Sequence, residues 1–343
     1  MISLKRFFLS IFVLYLIFNS AHLSANKDEN TIVPKLLQPV MSFPQESDNV
    51  LLIFPTEMHM DEEDNIYVID QSLSAIIKYT ANGKFIKQIG RRGEGPGEFE
   101  MPHKFIYDNN KLFIADQGNR RVQILDSDGK YLSSFKLFRL ITNISHFNNI
   151  IIGQQQYHSN EIQDFSLITK YNHKGEILDS FGEPINNIIG ISKLPTSASA
   201  VMLKIHNNKI YVLYWYYPVL QVYSFNGELL KTYKFENKMY RELIPGNYNL
   251  QKIISTRNYI NLRYLFLAFY INDNGMFLCL YKNDIEIHHY NFDGELKDIY
   301  LYKHKKGDEY YVTDLRALNQ GERYKFYVLT YFPWPRVRIF NSN

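Results

Sequence analysis

The sequence predicts an all-β protein with the architecture of a six-bladed β-propeller, in which an N-terminal strand completes the last blade and closes the ring. Three observations indicate this fold. A short apolar run recurs six times, each run is followed by a second strand, and a turn glycine follows five of these second strands. No long segment with helical periodicity separates the repeats, so a parallel sheet with helical crossovers is not expected.

The recurring apolar runs are rich in β-branched and aromatic residues. Runs of this kind are typical of strands that are buried on both faces. Repeats of about 40–50 residues that contain only short strands are characteristic of propeller blades. The six runs begin at Ile66, Leu112, Ile150, Ile210, Met276 and Phe326.

A glycine follows the second strand in each of the first five repeats. Four of these glycines come directly after Asn or Asp, and such dipeptides favour tight hairpin turns. Glycine adopts the positive φ that these turns need without steric strain. We therefore predict a positive φ at Gly129 and hairpin turns at Gly83, Gly129, Gly175, Gly227 and Gly294.

The sixth repeat lacks an outer strand, because the sequence ends at Asn343, one residue before the turn glycine would be due. A spare strand precedes the first repeat at about residues 35–43, and its Pro39 suits an edge strand. We predict that this segment completes blade six, since an open ring would expose an unpaired edge. Residues 26–343 would then form a single propeller domain, with insertions at about 184–207 and 237–262.

Residues 1–25 have the pattern of a secretory signal peptide. Lys5 and Arg6 precede an apolar run over residues 7–18, and small residues lead up to Ala25. The run is shorter than the ~20 apolar residues that span a bilayer, so no permanent membrane span is expected. No cysteine lies near the end of the run, which argues against a bacterial lipoprotein. We predict cleavage after Ala25 and export to the periplasm or the extracellular space.

Charge and cysteine content argue against several classes of function. The chain has 38 Lys and Arg against 35 Asp and Glu, a net charge of +3, and removal of Lys5 and Arg6 lowers this to +1. A balance this close to zero gives no electrostatic basis for nucleic-acid binding. The single cysteine, Cys279, excludes an intrachain disulfide and a cysteine-based zinc site.

Two segments resemble a known repeat family. Residues 114–124, with the sequence IADQGNRRVQI, resemble the core of the NHL repeat, and residues 90–102 resemble the inter-blade loop of exported bacterial six-bladed NHL-like propellers. The match covers about residues 64–135, and the later blades keep only the strand spacing and the turn glycines. The resemblance implies the fold, and the better-known relatives include lactonases, an amidating lyase and sensor or adhesion modules.

One end of the ring is expected to carry the binding site. In a four-stranded blade, the loops between second and third strands lie at the same end as the connections between blades. Both predicted insertions fall at this end, and long loops are often functional. The candidate ligand-binding residues on this loop face are Arg91, Arg92, His103, Asn119, Arg120, His158, Trp215, Tyr216, Tyr217 and Trp334.

Several of these residues allow two interpretations. Trp215 and Trp334 are the only tryptophans, and both lie beside prolines in equivalent loops of blades four and six. Such aromatic side chains could stack on a sugar or a peptide, or they could pack beneath the insertions. Asp116 and Arg121 are interpreted as a structural ion pair rather than a catalytic pair.

The sequence contains no recognisable catalytic motif. It has no GxSxG elbow and no chelating pair of histidines, so no cofactor is predicted. Glu57, His59 and His103 would be the candidate ligands if the central channel held a metal ion. We expect a non-catalytic binding or scaffold propeller that recognises a peptide, a glycan or a partner protein. The alternative is a metal-dependent hydrolase or lyase at the channel mouth, resembling the lactonase or amidating-lyase propellers.

Overall fold

The computed structural model describes residues 32–155, 166–185, 188, 199–235, 238–243, 263–304 and 310–343. Within these residues the chain forms 24 β-strands and the short helix α1 (Lys238–Leu243). The strands form six antiparallel blades of four strands each. The predicted signal peptide at 1–25 and the candidate residue His158 lie outside the described residues.

The described fold begins with β1 (Lys35–Phe43), and the first three blades follow it along the chain. In each of them the chain runs from the innermost strand to the outermost. Blade one contains β2 (Pro55–Met60), β3 (Ile66–Asp70), β4 (Ala75–Tyr79) and β5 (Phe85–Ile89). Blade two contains β6 (Pro102–Asp108), β7 (Lys111–Asp116), β8 (Arg121–Asp126) and β9 (Tyr131–Lys136). Blade three contains β10 (Ile141–Phe147), β11 (Ile150–Gln155), β12 (Ile168–Tyr171) and β13 (Ile177–Phe181).

Blades four and five repeat this order, and blade six takes its outermost strand from the start of the fold. Blade four contains β14 (Val201–His206), β15 (Lys209–Tyr214), β16 (Val219–Ser224) and β17 (Leu229–Lys234). Blade five contains β18 (Phe266–Asn272), β19 (Gly275–Leu280), β20 (Ile285–Tyr290) and β21 (Leu296–Tyr302). Blade six contains β22 (Tyr311–Asn319), β23 (Tyr324–Phe332), β24 (Arg336–Ser342) and β1.

The closing strand β1 completes blade six, which confirms the prediction. It pairs antiparallel with β24, where Phe43 lies opposite Val337. Its first residues also pair in parallel with β21 of blade five, where Lys35 lies opposite Tyr300. Each innermost strand contacts the innermost strand of the next blade, and β22 contacts β2. The ring is therefore closed at its centre and along its outer strand.

Burial explains why the apolar runs identify the blades. Every residue of β3 and of β19 is buried, because second strands are covered on both faces. The outer strands are more exposed, and in β5 only Ile89 is fully buried. The core lies between neighbouring blades: Tyr67 and Ile76 of blade one pack with Phe105 and Leu112 of blade two.

The predicted hairpin glycines all adopt positive φ, with values between 75° and 91°. At Gly129, where φ is 87°, an added Cβ atom would lie 2.8 Å from Cγ2 of Ile89 in the outer strand of blade one. The absence of a side chain therefore permits both the turn and the close approach of the next blade.

The predicted insertion at 184–207 extends too far. Val201–His206 forms β14 and pairs along its length with β15. Lys204 and His206 interrupt its apolar residues, so this innermost strand lacks the continuous apolar run that marks a second strand. The other predicted insertion, 237–262, contains helix α1, and its residues 244–262 lie outside the described residues.

Candidate functional site

The central channel opens into a cavity of about 340 Å³ at the loop face of the ring. The cavity lies where the innermost strands begin, so that all six blades contribute to its wall. These contributions include Glu57, Lys104, Asn143, Lys204, Phe269 and Asp314, one from each innermost strand. A cavity of this size has room for a small organic group.

Aromatic side chains from blades four, five and six form one wall of the cavity. Trp215 lies in the loop after β15 and contacts Tyr264 edge to face, with ring centroids 5.4 Å apart. Its carbonyl oxygen accepts hydrogen bonds from the backbone N–H groups of Leu265 and Phe266, at 2.8 and 3.2 Å. This loop of blade four therefore fixes the entry into blade five, and Phe266 and Tyr311 extend the wall.

Charged side chains form the floor of the cavity. The Oε2 atom of Glu57 accepts a hydrogen bond from the backbone N–H of Phe105 at 3.0 Å, and its Oε1 atom lies 3.5 Å from Nζ of Lys204. Lys104 donates from Nζ to the carbonyl oxygen of Thr56 at 2.9 Å. The strand β2 is thereby held to blades two and four across the channel.

A second carboxylate lies beside the first, next to an arginine of the same strand. Oδ2 of Asp314 accepts the backbone N–H of Met58 at 3.0 Å and lies 3.6 Å from Nη1 of Arg316. Arg316 donates to the carbonyl oxygens of Met58 and Leu315 and lies 5.3 Å from the ring centroid of Tyr270. The guanidinium is therefore locked in place beneath the cavity.

Burial shifts the pKa values of several groups in this cluster. It lowers the pKa of the Lys204 ammonium, although Asp314 and Glu57 partly oppose the shift. Burial favours the neutral acid at Asp314, but Arg316 and Lys204 outweigh this and leave its pKa below the usual value. Burial, followed by the charge of Lys104, lowers the pKa of His103 to about 3, so that its imidazole is neutral at neutral pH.

An apolar rim lies beside the cavity, formed by residues 51–54 of the connection into blade one and residues 331–334 of blade six. The two segments meet where Phe54, which lines the cavity, contacts Tyr331 edge to face at 4.7 Å. Trp334 is 58% exposed and Phe332 is 49% exposed. This apolar rim therefore continues the aromatic wall outward onto the loop face.

The structure brings only some of the predicted ligand-binding residues to the cavity. His103 and Trp215 line it. Tyr216 stacks on Tyr264 at 4.9 Å, and Tyr217 is buried behind the loop. Trp334 belongs to the apolar rim and does not line the cavity.

The four remaining described candidates lie around the connection between blades one and two. Arg91 pairs with Glu98, and Arg92 forms a two-pronged ion pair with Glu100. Asn119 donates to the carbonyl oxygen of Gly93 and to Asp116, and Arg120 donates to the carbonyl oxygen of Phe138. These side chains hold the loops of blade two together, away from the cavity.

The predicted metal candidates are distributed along the channel. Glu57 and His103 line the cavity, and both carboxylate oxygens of Glu57 already have partners. His59 lies two residues further along β2, edge to face with Phe105 at 4.9 Å, and burial lowers its pKa. In the part of the chain that the structure describes, no three His, Cys, Asp or Glu side chains are arranged to hold a metal ion.

Three charged residues of the cavity were missed by sequence reasoning: Lys104, Lys204 and Asp314. Each is a polar residue within an innermost strand that is otherwise largely apolar. That pattern was the available signal, but these strands begin at irregular distances before the second strands.

Among the described residues, no helix is both long enough and apolar enough to cross a membrane.

Comparison with known proteins agrees with the observed architecture. Residues 25–323 match the model of the DUF5128 family, described as a 6-bladed beta-propeller. A structure from Bacteroides fragilis, named as that of an exported protein, has 12% sequence identity and a TM-score of 0.58, and the match covers 92% of this chain and 97% of that one. A duf4221 family member from Bacteroides vulgatus has 11% identity and a TM-score of 0.58, with 90% and 97% covered.

A third similar structure is that of a catalytically inactive virginiamycin B lyase from Staphylococcus aureus with Quinupristin. It has 11% identity and a TM-score of 0.51, and the match covers 92% of this chain and 96% of that chain. Identities at this level indicate a shared fold and carry no information on activity.

Proposed function

We propose that this chain, which belongs to the DUF5128 family of 6-bladed beta-propellers, is an exported, non-catalytic binding propeller. It would hold a segment of a peptide or partner protein at the channel mouth on its loop face. One observation carries this proposal. The aromatic wall of the cavity is continuous, through Phe54 and Tyr331, with an exposed apolar rim on the outer surface. Exposed apolar surface next to a cavity is typical of protein interaction sites.

The exposed apolar rim, rather than the size of the cavity, favours a peptide segment over a glycan. About 340 Å³ accommodates one side chain or chain end, while the rest of the segment would lie on the apolar rim. Large aromatic residues such as Trp215 and Trp334 act as anchors in many interfaces. Glycan binding through the same aromatic residues is the outcome that the experiment must distinguish.

Export is part of the proposal. The pattern of residues 1–25 and the name of the similar structure from Bacteroides fragilis support it. The alternative function, a metal-dependent hydrolase or lyase, gains no specific support, because the similar lyase structures share only the fold.

Intrinsic fluorescence tests the proposal with the mature chain. Replacement of Trp334 by Phe leaves Trp215 as the single tryptophan and thus a reporter of the cavity. We expect a peptide in a screen of peptides and glycans to change the Trp215 emission. Trp215→Ala removes the reporter, so its affinity is measured by calorimetry, and we expect this substitution to weaken binding by about 2 kcal/mol or more. Lys87→Ala, on the outer strand of blade one, is a control that should leave binding unchanged. A compound that binds without changing the Trp215 emission, and whose affinity Trp215→Ala does not alter, would place the site elsewhere. If only glycans bound, the ligand would be a glycan rather than a peptide.

A further inference from the structure

The charged residues in and directly beneath the cavity carry more positive than negative charge. Lys104 and Lys204 line the cavity together with the carboxylates of Glu57 and Asp314, and Arg316, which lies beneath the cavity beside Asp314, adds a third cation, an excess of one positive charge. The neutral imidazole of His103 adds no charge. A buried site with such an imbalance gains stability when one further anion enters it.

The excess charge lies on lysines whose own partners are few. Among the described residues, no carboxylate lies within ion-pair distance of Lys104, whose Nζ donates to a backbone carbonyl. Lys204 is only 16% exposed, and its Nζ reaches Glu57 across 3.5 Å, which is long for a hydrogen bond. An ammonium group has three donors, so Lys204 retains the capacity to bind an acceptor from a ligand.

A further donor points to an acceptor-bearing ligand. The indole Nε1 of Trp215 is buried and has no hydrogen-bond partner among the described residues, and the side chain lines the same cavity. Leaving a buried donor unpaired is unfavourable. Because this atom is shielded from solvent, a ligand oxygen would satisfy it only if the indole moved on binding.

Much of the remaining cavity lining is apolar or aromatic. Phe266, Phe269, Met202 and Tyr311 contribute to it together with Trp215. A void of about 150 Å³ already accommodates benzene, so the observed volume holds one aromatic or branched apolar group together with a charged head group.

We propose that the channel mouth binds a monoanionic carboxylate attached to an aromatic or branched apolar group, with the carboxylate at Lys204 and Lys104 and the apolar group against the aromatic wall. The inference rests on the proposed function and specifies the chemistry of its ligand. The C-terminal end of a peptide and a free apolar acid share this chemistry.

Paired acids and amides test the charge requirement. The probes are N-acetylphenylalanine and its amide, and the tetrapeptide Ala-Ala-Ala-Phe with a free or an amidated C-terminus. Affinity is measured by calorimetry and by Trp215 emission in the Trp334→Phe chain. We expect each acid to bind at least tenfold more tightly than its amide. A stronger response to the tetrapeptide acid would indicate a peptide end, and equal responses would indicate a small acid.

Two substitutions with opposite expected effects on the acid-to-amide affinity ratio distinguish this charge requirement from a loss of folding. Lys204→Gln should reduce the acid-to-amide ratio to nearly one, whereas Glu57→Gln, which removes a competing carboxylate, should raise it several-fold. Lys231→Gln, on the outer strand of blade four, is the matched control and should leave the ratio unchanged. Thermal melting of each variant verifies folding, and Lys104→Gln provides a second test if Lys204→Gln fails to fold.

The outcomes distinguish this inference from the function on which it rests. If acid and amide bind equally to the unmodified chain, or if neither binds while another compound changes Trp215 emission, the requirement for a carboxylate is refuted. The channel mouth then remains the proposed binding site. If no compound of any class changes Trp215 emission, the proposed function fails as well.

Discussion

The phenyl ring of Phe43 packs directly against Gly83, so closely that no side chain would fit at the glycine. Phe43 ends the closing strand β1, and Gly83 forms the hairpin of blade one. The same relationship recurs around the ring, where an outer strand meets the turn glycine of the next blade. The equivalent pairs are Ile89 with Gly129, Phe135 with Gly175, Phe181 with Gly227 and Tyr233 with Gly294. The N-terminal strand therefore occupies the position of an ordinary outer strand.

Deletion of residues 26–44 should open the ring. The deletion removes the partner of β24 and the contact with Gly83, and it exposes an unpaired strand edge. We expect aggregation or loss of a cooperative thermal transition. A chain that begins at residue 32 keeps β1 and serves as the control. Closure by β1 would be wrong if the deleted chain melted like this control.

Substitution of Gly129 should destabilise the fold through both strain and steric overlap. A Val residue at φ 87° is strained, and its Cβ atom would lie 2.8 Å from Ile89, so we expect a loss of about 1–3 kcal/mol. Gly97 has a similar φ of 74° with no neighbour near its Cβ position, which makes Gly97→Val a matched control for strain alone. Chemical denaturation measures both. Equal losses would mean that packing between blades contributes nothing at this turn.

Asp116 should be structural. Its buried carboxylate accepts hydrogen bonds from the backbone N–H of Glu100 at 2.7 Å and from Nε of Arg121 at 2.8 Å. Asp116→Ala would leave a largely buried guanidinium without its carboxylate, which costs about 3–5 kcal/mol. Asp128→Ala, which breaks the exposed ion pair with Lys87, should leave the free energy of unfolding almost unchanged, because ion pairs in solvent contribute little. Ligand affinity should remain within twofold in the folded fraction of both variants, and a larger loss in Asp116→Ala alone would assign Asp116 to the site.

Acid should destabilise the protein through His103. Its folded-state pKa of about 3 lies below the value of 6.5 in the unfolded chain, so between these values only the unfolded chain takes up the proton. The free energy of unfolding therefore rises with pH over this window and is constant above it. Between pH 7 and 5, His103 should account for a loss of at most about 2 kcal/mol. His103→Gln should lose correspondingly less stability than the unmodified chain between pH 7 and 5. Equal losses in the two proteins would contradict the lowered pKa of His103.

The fold was predictable because its determinants are local in sequence. Apolar runs such as Ile66–Ile69 and turn glycines such as Gly129 repeat at similar offsets in successive blades. Strand β1 was predictable from the missing outer strand of the last repeat. The pairing of β1 with β21 could not be predicted, since it depends on the three-dimensional path of Lys35 and Leu36.

The site was less predictable because its residues are distant in sequence. Lys104, Lys204 and Asp314 meet only after three innermost strands converge on the channel. Arg91 is exposed and was predicted to bind a ligand, whereas the structure pairs it with Glu98 of the same loop. That glutamate, seven residues further along the chain, was the available signal for an internal ion pair.

A crystal structure of the mature chain with the tightest-binding compound from the fluorescence screen tests the central claim most directly. The account predicts density for the compound in the channel mouth, in contact with Trp215 and within hydrogen-bond distance of Nζ of Lys204, with the remainder extending over Phe54 towards Trp334. Density for the compound on the opposite face, or along the connection between blades one and two with an empty channel mouth, would contradict it.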